Sequence, residues 1–215
     1  MAKLADVTDD VDWETVICPV NDGHQGSGNR ITDLSLELPG RAVQDFVWTF
    51  LSECLIQDRV LKIFRENGFT GFDVKSAKAV FKKPVAGRDP PRLWEMVITG
   101  WAGLAPPESG IKLIEHCRAC GHRVYSACNC PGALINSAQW DGSDFFTVWP
   151  LPAYVFVTDR VAQVIRDNRL TGVLLQQPSD LDFFGNLTGR LTPGRLSYWM
   201  PAERARELGA ALGID

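Results

Sequence analysis

Apolar positions recur along this chain in two ways, and each predicts a different kind of element. At residues 72–81 and 93–101 large apolar side chains crowd into short runs that read as strands, with the proline-rich KKPVAGRDPPR between them as a loop. Residues 14–18 and 31–38 read as strands flanking a glycine-rich DGHQGSGN loop, and 41–48, after Pro39-Gly40, as a short helix. Residues 111–116 and 145–149 are further strands, the second set up by the Asp141-Gly142 turn. A helical period takes over at 159–168, where Val161, Val164 and Ile165 share one face. Thr158 stands at its N-cap and Asp159 in its first turn, where the helix dipole favours an anion. A short strand at 154–157 precedes this helix, Asn168 or Arg169 ends it, and after the Thr171-Gly172 turn 173–176 returns as a strand. Beyond a loop-like stretch at 179–198, residues 201–212 form a helix with Pro201 first, Glu203 in the first turn and Gly213 past its end. Ala202, Ala205, Leu208 and Leu212 would dock it. Strands with two or three helices predict an α+β domain.

One stretch adds chemistry to this pattern. Cys117-Arg118-Ala119-Cys120-Gly121 has the shape of a zinc knuckle, in which a strand delivers the first thiolate and a turn ending in Gly aims the second at the same metal. Cys18-Pro19-Val20-Asn21-Asp22-Gly23-His24 is a damaged version, with Asn21 in the place of the second Cys.

The knuckles belong to a larger repeat. VWTFLSECLIQDRVLKIFRENGFTGFDVK, from Val47, aligns without a gap on VWPLPAYVFVTDRVAQVIRDNRLTGVLLQ, from Val148, at a spacing of 101 residues. Nine of the 29 positions are identical, against about two expected from ordinary residue frequencies. They include Asp58/Asp159, Arg59/Arg160, Thr70/Thr171 and Gly71/Gly172, and the knuckles sit 29 and 31 residues before the paired Val-Trp dipeptides. The expectation is one compact α+β domain over residues 1–215, built from two copies of a knuckle plus strand-helix-strand module at about 14–82 and 111–178, with the C-terminal helix added. Gln57 is a weaker cap than Thr158, so the first copy is expected to be the less regular.

The repeat selects metal ligands: Cys18, His24, Cys117 and Cys120, with the imidazole of His24 replacing the missing thiolate. A local alternative is Cys117, Cys120, Cys128 and Cys130; His116 and His122 are further candidates, although a histidine directly beside a knuckle more often supports a ligand from behind or lies at the surface. Zinc in such a site is expected to be structural, locking the two halves together. Cys54, within an apolar run, reads as a core thiol.

Charge and composition narrow the function. The 215 residues are 45% apolar and 22% charged, an ordinary globular balance, with a net charge of -4. Acidic residues outnumber basic ones 15 to 12 up to Pro107 and 11 to 10 afterwards, so neither half offers the cationic face that a phosphate backbone needs. No apolar run reaches the ~18 residues of a membrane helix, and the acidic N-terminus lacks the charge and apolar stretch of a secretory signal, which predicts a cytoplasmic protein with no membrane partner. The acidic run Asp9, Asp10 and Asp12 would steer a basic partner or form a solvated, frayed end, and Asp141 and Asp144 offer a second candidate contact. No nucleophile elbow, P-loop, dinucleotide fingerprint or His-Glu-x-x-His is present, and a closed four-ligand metal has no position for substrate, so no enzymatic activity is expected.

One whole and one degraded Cys-x-x-Cys-Gly motif in a chain of this size resemble the double-CXXCG family, known from paralogous myxobacterial proteins and counted among immunity proteins of polymorphic toxin systems. The strand, Thr cap, helix, Thr-Gly, strand unit at 156–175 also resembles the C-terminal pattern of related immunity families. The resemblance implies a protein that binds and neutralises one cognate toxin, and Asn21 departs from the four-thiolate pattern. The alternatives from the residues alone are a zinc-ribbon nucleic-acid binder, which the acidic balance opposes, and a general zinc-stapled adaptor.

Overall fold

The computed structural model describes residues 4–83, 89–180 and 189–215. In chain order, β1 (Asp6–Val7), β2 (Trp13–Val16), β3 (Gly26–Arg30), β4 (Ser35–Leu38), β5 (Phe46–Trp48) and β6 (Cys54–Gln57) lead into α1 (Asp58–Glu66). Then come β7 (Phe72–Phe81), β8 (Leu93–Ile98), β9 (Trp101–Leu104), β10 (Leu113–His116), β11 (Arg123–Tyr125), β12 (Phe145–Trp149) and β13 (Phe156–Val157), followed by α2 (Asp159–Asp167) and α3 (Ala202–Gly209). The domain is α+β. No helix among the described residues is long and apolar enough to cross a membrane.

Alternation along β7 and β8 organises the core. Successive side chains of a strand point to opposite faces, so Phe72 and Val74 of β7, with Trp94, Met96 and Ile98 of β8, pack toward the cluster under α1 and α2. Ala77, Ala79 and Phe81 of β7, and Leu93 of β8, turn to the other face, against Leu34, Leu36 and Leu38. These strands lie at the middle of a six-stranded sheet of order β1-β4-β7-β8-β6-β5, in which β8 is antiparallel to both β6 and β7. A three-stranded sheet, β13-β12-β9, serves the second half, and β2–β3 and β10–β11 are separate two-stranded hairpins. Val60 and Phe64 of α1 and Val161 and Ile165 of α2 share the central cluster, and each such buried side chain contributes about 2 kcal/mol of hydrophobic stabilisation.

The halves exchange hydrogen bonds reciprocally. Asp45, before β5, accepts from the Thr171 N–H (2.8 Å) and hydroxyl (2.9 Å) of the other half and from Arg59 Nε (2.7 Å) of its own. Asp144, before β12, accepts from the Thr70 N–H (3.0 Å) and hydroxyl (3.2 Å) across the molecule and from Arg160 Nη2 (2.9 Å). The backbones follow: the Phe46 N–H donates to the Thr171 carbonyl and the Phe145 N–H to the Thr70 carbonyl. Gly71 and Gly172 permit this approach, since a Cβ would stand 2.0 Å from the Phe145 oxygen or 2.1 Å from the Phe46 oxygen, and both have left-handed φ. Burial works against both carboxylates, yet the Thr donors and the guanidinium outweigh it and hold each below the ordinary Asp range.

Several expectations are corrected. Residues 41–48 end in strand β5, because Phe46 and Trp48 face the central cluster and Val47 the opposite core, an alternation that a helix cannot provide. The glycine-rich loop contains β3, antiparallel to β2; Gly28 lets the chain pass Glu14, whose carboxylate accepts from the Asn29 N–H. The strand expected at 93–101 breaks after Ile98, where Gly100 passes the Phe145 carbonyl too closely for any Cβ. Residues 173–176 form no strand, so the second half is the less regular one. Thr158 takes the N-cap backbone conformation, but its hydroxyl donates to Asp144 instead of capping α2. The N-terminus is not frayed from Leu4 onward: Ala5 is buried and β1 pairs with β4. Pro201 is the N-cap of α3 and not its first residue, and Ala205, Leu208 and Ile214 dock it where Ala202 and Leu212 are exposed. Parts of the expected loops, residues 84–88 and 181–188, lie outside the described residues.

Candidate metal centre

The tips of two hairpins build the site. Cys18 follows β2, and the turn to β3 is a short 3-10 helix, Asp22–His24, whose N-cap is Asn21; its side-chain oxygen accepts from the Gly23 N–H at 2.9 Å. Asn21 therefore shapes the turn in place of supplying a thiolate, and His24 comes round to face Cys18. The second hairpin is β10–β11. There the Cys117 N–H donates to the His122 carbonyl (2.9 Å), the Gly121 N–H to the Cys117 carbonyl (2.8 Å), and Gly121 adopts φ 78°.

Cys18, His24, Cys117 and Cys120 meet with all ligand atoms within 4.8 Å of one another. Cys18 Sγ lies 3.7 Å from Cys117 Sγ, and Cys120 Sγ lies 3.7 Å from His24 Nδ1. Tetrahedral zinc with Zn–S bonds of about 2.3 Å would hold two thiolates about 3.75 Å apart, and a thiolate and imidazole nitrogen about 3.55 Å apart. A disulfide requires about 2.05 Å, and all the described cysteines are free. The four donors thus have spacing compatible with a metal ion.

The surrounding groups prepare these donors. N–H groups of Cys120 and Ala119, with His24 beside it, pull the Cys117 pKa down to about 6. The Val20 N–H chiefly, and then that of Asn21, lowers Cys18 in the same way, while burial raises Cys120. Proximity to Cys117 raises His24. Its other nitrogen, Nε2, is 3.0 Å from Glu115 Oε1. With Nδ1 turned to the sulfurs, Nε2 carries the proton and donates it to the carboxylate, the arrangement that orients a ligating histidine. Asn21 Nδ2, 3.1 Å from the same nitrogen, is a second donor and cannot bond to Nε2 in that tautomer. His122 stacks on the His24 ring at 4.2 Å between centroids. Nitrogens of His24 and His122 and the Glu115 carboxylate also cluster, but this set would use Nε2 and leave Nδ1 among three thiols.

The sequence matches no protein-family model, and no curated protein matches it significantly.

The alternative ligands are displaced. Cys128 points its thiol at the Ser109 carbonyl (3.6 Å) beside an apolar cluster, Cys130 is exposed at the start of a 3-10 turn, and neither joins the cluster. The short Cys-x-Cys separation put them in question only along the chain; β11 carries that segment away. His116 is exposed, and Cys54 lies in the central core, where burial drives its pKa up. Asp9, Asp10 and Asp12 are exposed, with Asp10 taken up by the Thr8 hydroxyl. Asp141 is exposed but anchors its turn, accepting from the N–H groups of Trp101 and Ser143 and from Arg204. Asp144 is corrected outright as a contact residue, since it is buried and fully engaged within the fold. Glu115 is the addition that sequence reasoning did not make; its only signal is a carboxylate two residues before a knuckle cysteine.

Proposed function

We propose that this chain is a non-enzymatic, zinc-stapled protein that binds and neutralises one cognate toxin in the cytoplasm. The observation that carries the zinc reading is the set of three thiols and one imidazole, whose donor atoms lie within 4.8 Å of one another and come from both halves of the chain. Three sulfurs and a nitrogen suit zinc among the common biological metals. Bound there, zinc supplies a cross-link and no open coordination position. The chain's own residues do the rest: Glu115 fixes the ring of His24, and the knuckle amides lower the pKa of Cys18 and Cys117, which favours their thiolate forms. The toxin reading is supported by the whole and degraded Cys-x-x-Cys-Gly pair, with its likeness to the double-CXXCG immunity proteins, and by the exposed acidic stretch at Asp9, Asp10 and Asp12.

The test is a growth assay in which the polypeptide encoded beside this gene is expressed with and without this chain. Killing by the neighbour alone and survival of cells that make both is the expected result. A harmless neighbour, or killing that this chain does not prevent, overturns the toxin reading and leaves a zinc-stapled adaptor for a different protein.

A further inference from the structure

The two halves make matching contacts, and one strand of the first half has no counterpart in the second. In the first half β8 lies between β6 and β7, with Ile56 opposite Trp94 and Val74 opposite Met96, and turns Trp94, Met96 and Ile98 into the central cluster. At the 101-residue spacing, Val157 corresponds to Ile56, and Val173 and Leu175 to Phe72 and Val74; all three pack on that same cluster. Nothing among the described residues stands between them: β13 is the edge of its sheet, and 173–176 form no strand.

A groove of about 1280 Å³ occupies that region, and its lining includes Val157, Val173 and Leu175 of the second half and Met96 and Ile98 of the first. Small-molecule sites usually run to about 300–1,000 Å³, so the space suits a stretch of polypeptide. Its edge is ready for one. The Thr158 N–H donates to the Asp144 carbonyl at 3.0 Å, so Phe156 turns its main-chain groups to β12 and Val157 turns its N–H and C=O to the open side. At the rim Leu174 is 73% exposed, and the β5–β6 turn, whose Thr49 and Ser52 reach the groove, carries Phe50 at 82% exposed.

We propose that this groove receives an extended segment of the partner protein, which adds as a strand antiparallel to β13 and turns alternate apolar side chains inward as β8 does in the first half. The proposal rests on the reading that the chain acts by binding a protein, and it gives the chemistry of the segment recognised. Main-chain hydrogen bonds hold such a strand and apolar pockets select its side chains.

The probe is a capped peptide with the sequence of β8 and its neighbours, RLWEMVIT, added to the full-length zinc-loaded chain. Amide exchange at Val157 and at 173–176 is expected to slow at least about fivefold at 1 mM peptide, and N-methylation of the peptide backbone to abolish the effect. Leu175→Arg should weaken binding about tenfold with metal content and circular dichroism unchanged. No slowing, equal slowing by the N-methylated peptide, or a Val157 amide already protected in the free chain would overturn the proposal. Strand addition without rescue in the growth assay removes the toxin and keeps the slot; rescue that survives Leu175→Arg, without exchange protection, removes the slot and keeps the toxin.

Discussion

His24 decides whether three thiols become a binding site. Alone, Cys18, Cys117 and Cys120 supply three of the four donors a tetrahedral ion needs; the imidazole facing them, held from behind by Glu115, offers the fourth and adds no charge. Replacing Cys117 by Ser should remove the metal altogether, from one zinc per chain to none by elemental analysis, and lower the melting temperature by about 10 °C, as expected when a staple worth several kcal/mol is lost. Cys128→Ser should retain the metal. Glu115→Gln should keep the metal but weaken it about 10- to 100-fold, read by chelator competition. Protons compete for all four ligands, and burial raises Cys120 while proximity to Cys117 raises His24. Metal affinity read by chelator competition should therefore fall steadily as the pH is lowered, with Cys117, pulled down to about 6, the last thiol to protonate. That these four side chains cluster was legible because the repeat set Cys18 opposite Cys117, and His24 was the nearest residue able to replace a thiolate. Glu115 was not, since a carboxylate acting through a histidine leaves no spacing in the sequence.

At the scale of elements, the two helices show what sequence can and cannot say. Both begin with Asp-Arg-Val and run nine residues, and their apolar faces are visible in the 3.6-residue period. Their ends differ: after α1 the left-handed position is Gly68 (φ 63°), while after α2 it is Arg169 (φ 50°). A side chain is strained there, so Arg169→Gly should stabilise the protein by about 1 kcal/mol in urea unfolding, and Gly68→Arg, with open space around it, should cost about as much. The strands β7 and β12 could be read from Val, Phe and Trp density, and they match the expected bounds. β3 and β5 could not. Gly26 to Arg30 has no strand-forming side chains and is ordered by its neighbour β2, and β5 is three residues long, too short for a period to declare itself.

The whole molecule is held by what each half lends the other. Asp45 and Asp144 are ionised in the fold with pKa values below that of an unfolded Asp, about 3.9. A group whose pKa is lowered by folding contributes stability above its unfolded pKa and loses it as pH falls through the folded value. Denaturant midpoints measured in chelator should therefore drop below about pH 4, and Asp45→Asn with Asp144→Asn should be flatter there. At pH 6 each single variant should cost about 2 kcal/mol, the worth of charge-assisted bonds. This reciprocity was invisible in the sequence. The Thr and Gly partners stood in the repeat, but Asp45 and Asp144 fall 99 residues apart, outside the 101-residue register, and no local pattern says that a carboxylate reaches across the fold.

A contact of one residue with another, repeated with the halves exchanged, is the pattern of an isologous dimer about a twofold axis. In this protein both sides of that arrangement are carried by one chain, so the association does not depend on protein concentration, and the equivalence that a true dimer enforces is lifted. Each side is free to differ. A symmetric dimer with an open strand position would have two and would capture two guests, or link them into larger assemblies. Here β8 fills one position and leaves the other, which sets the stoichiometry at a single guest per molecule.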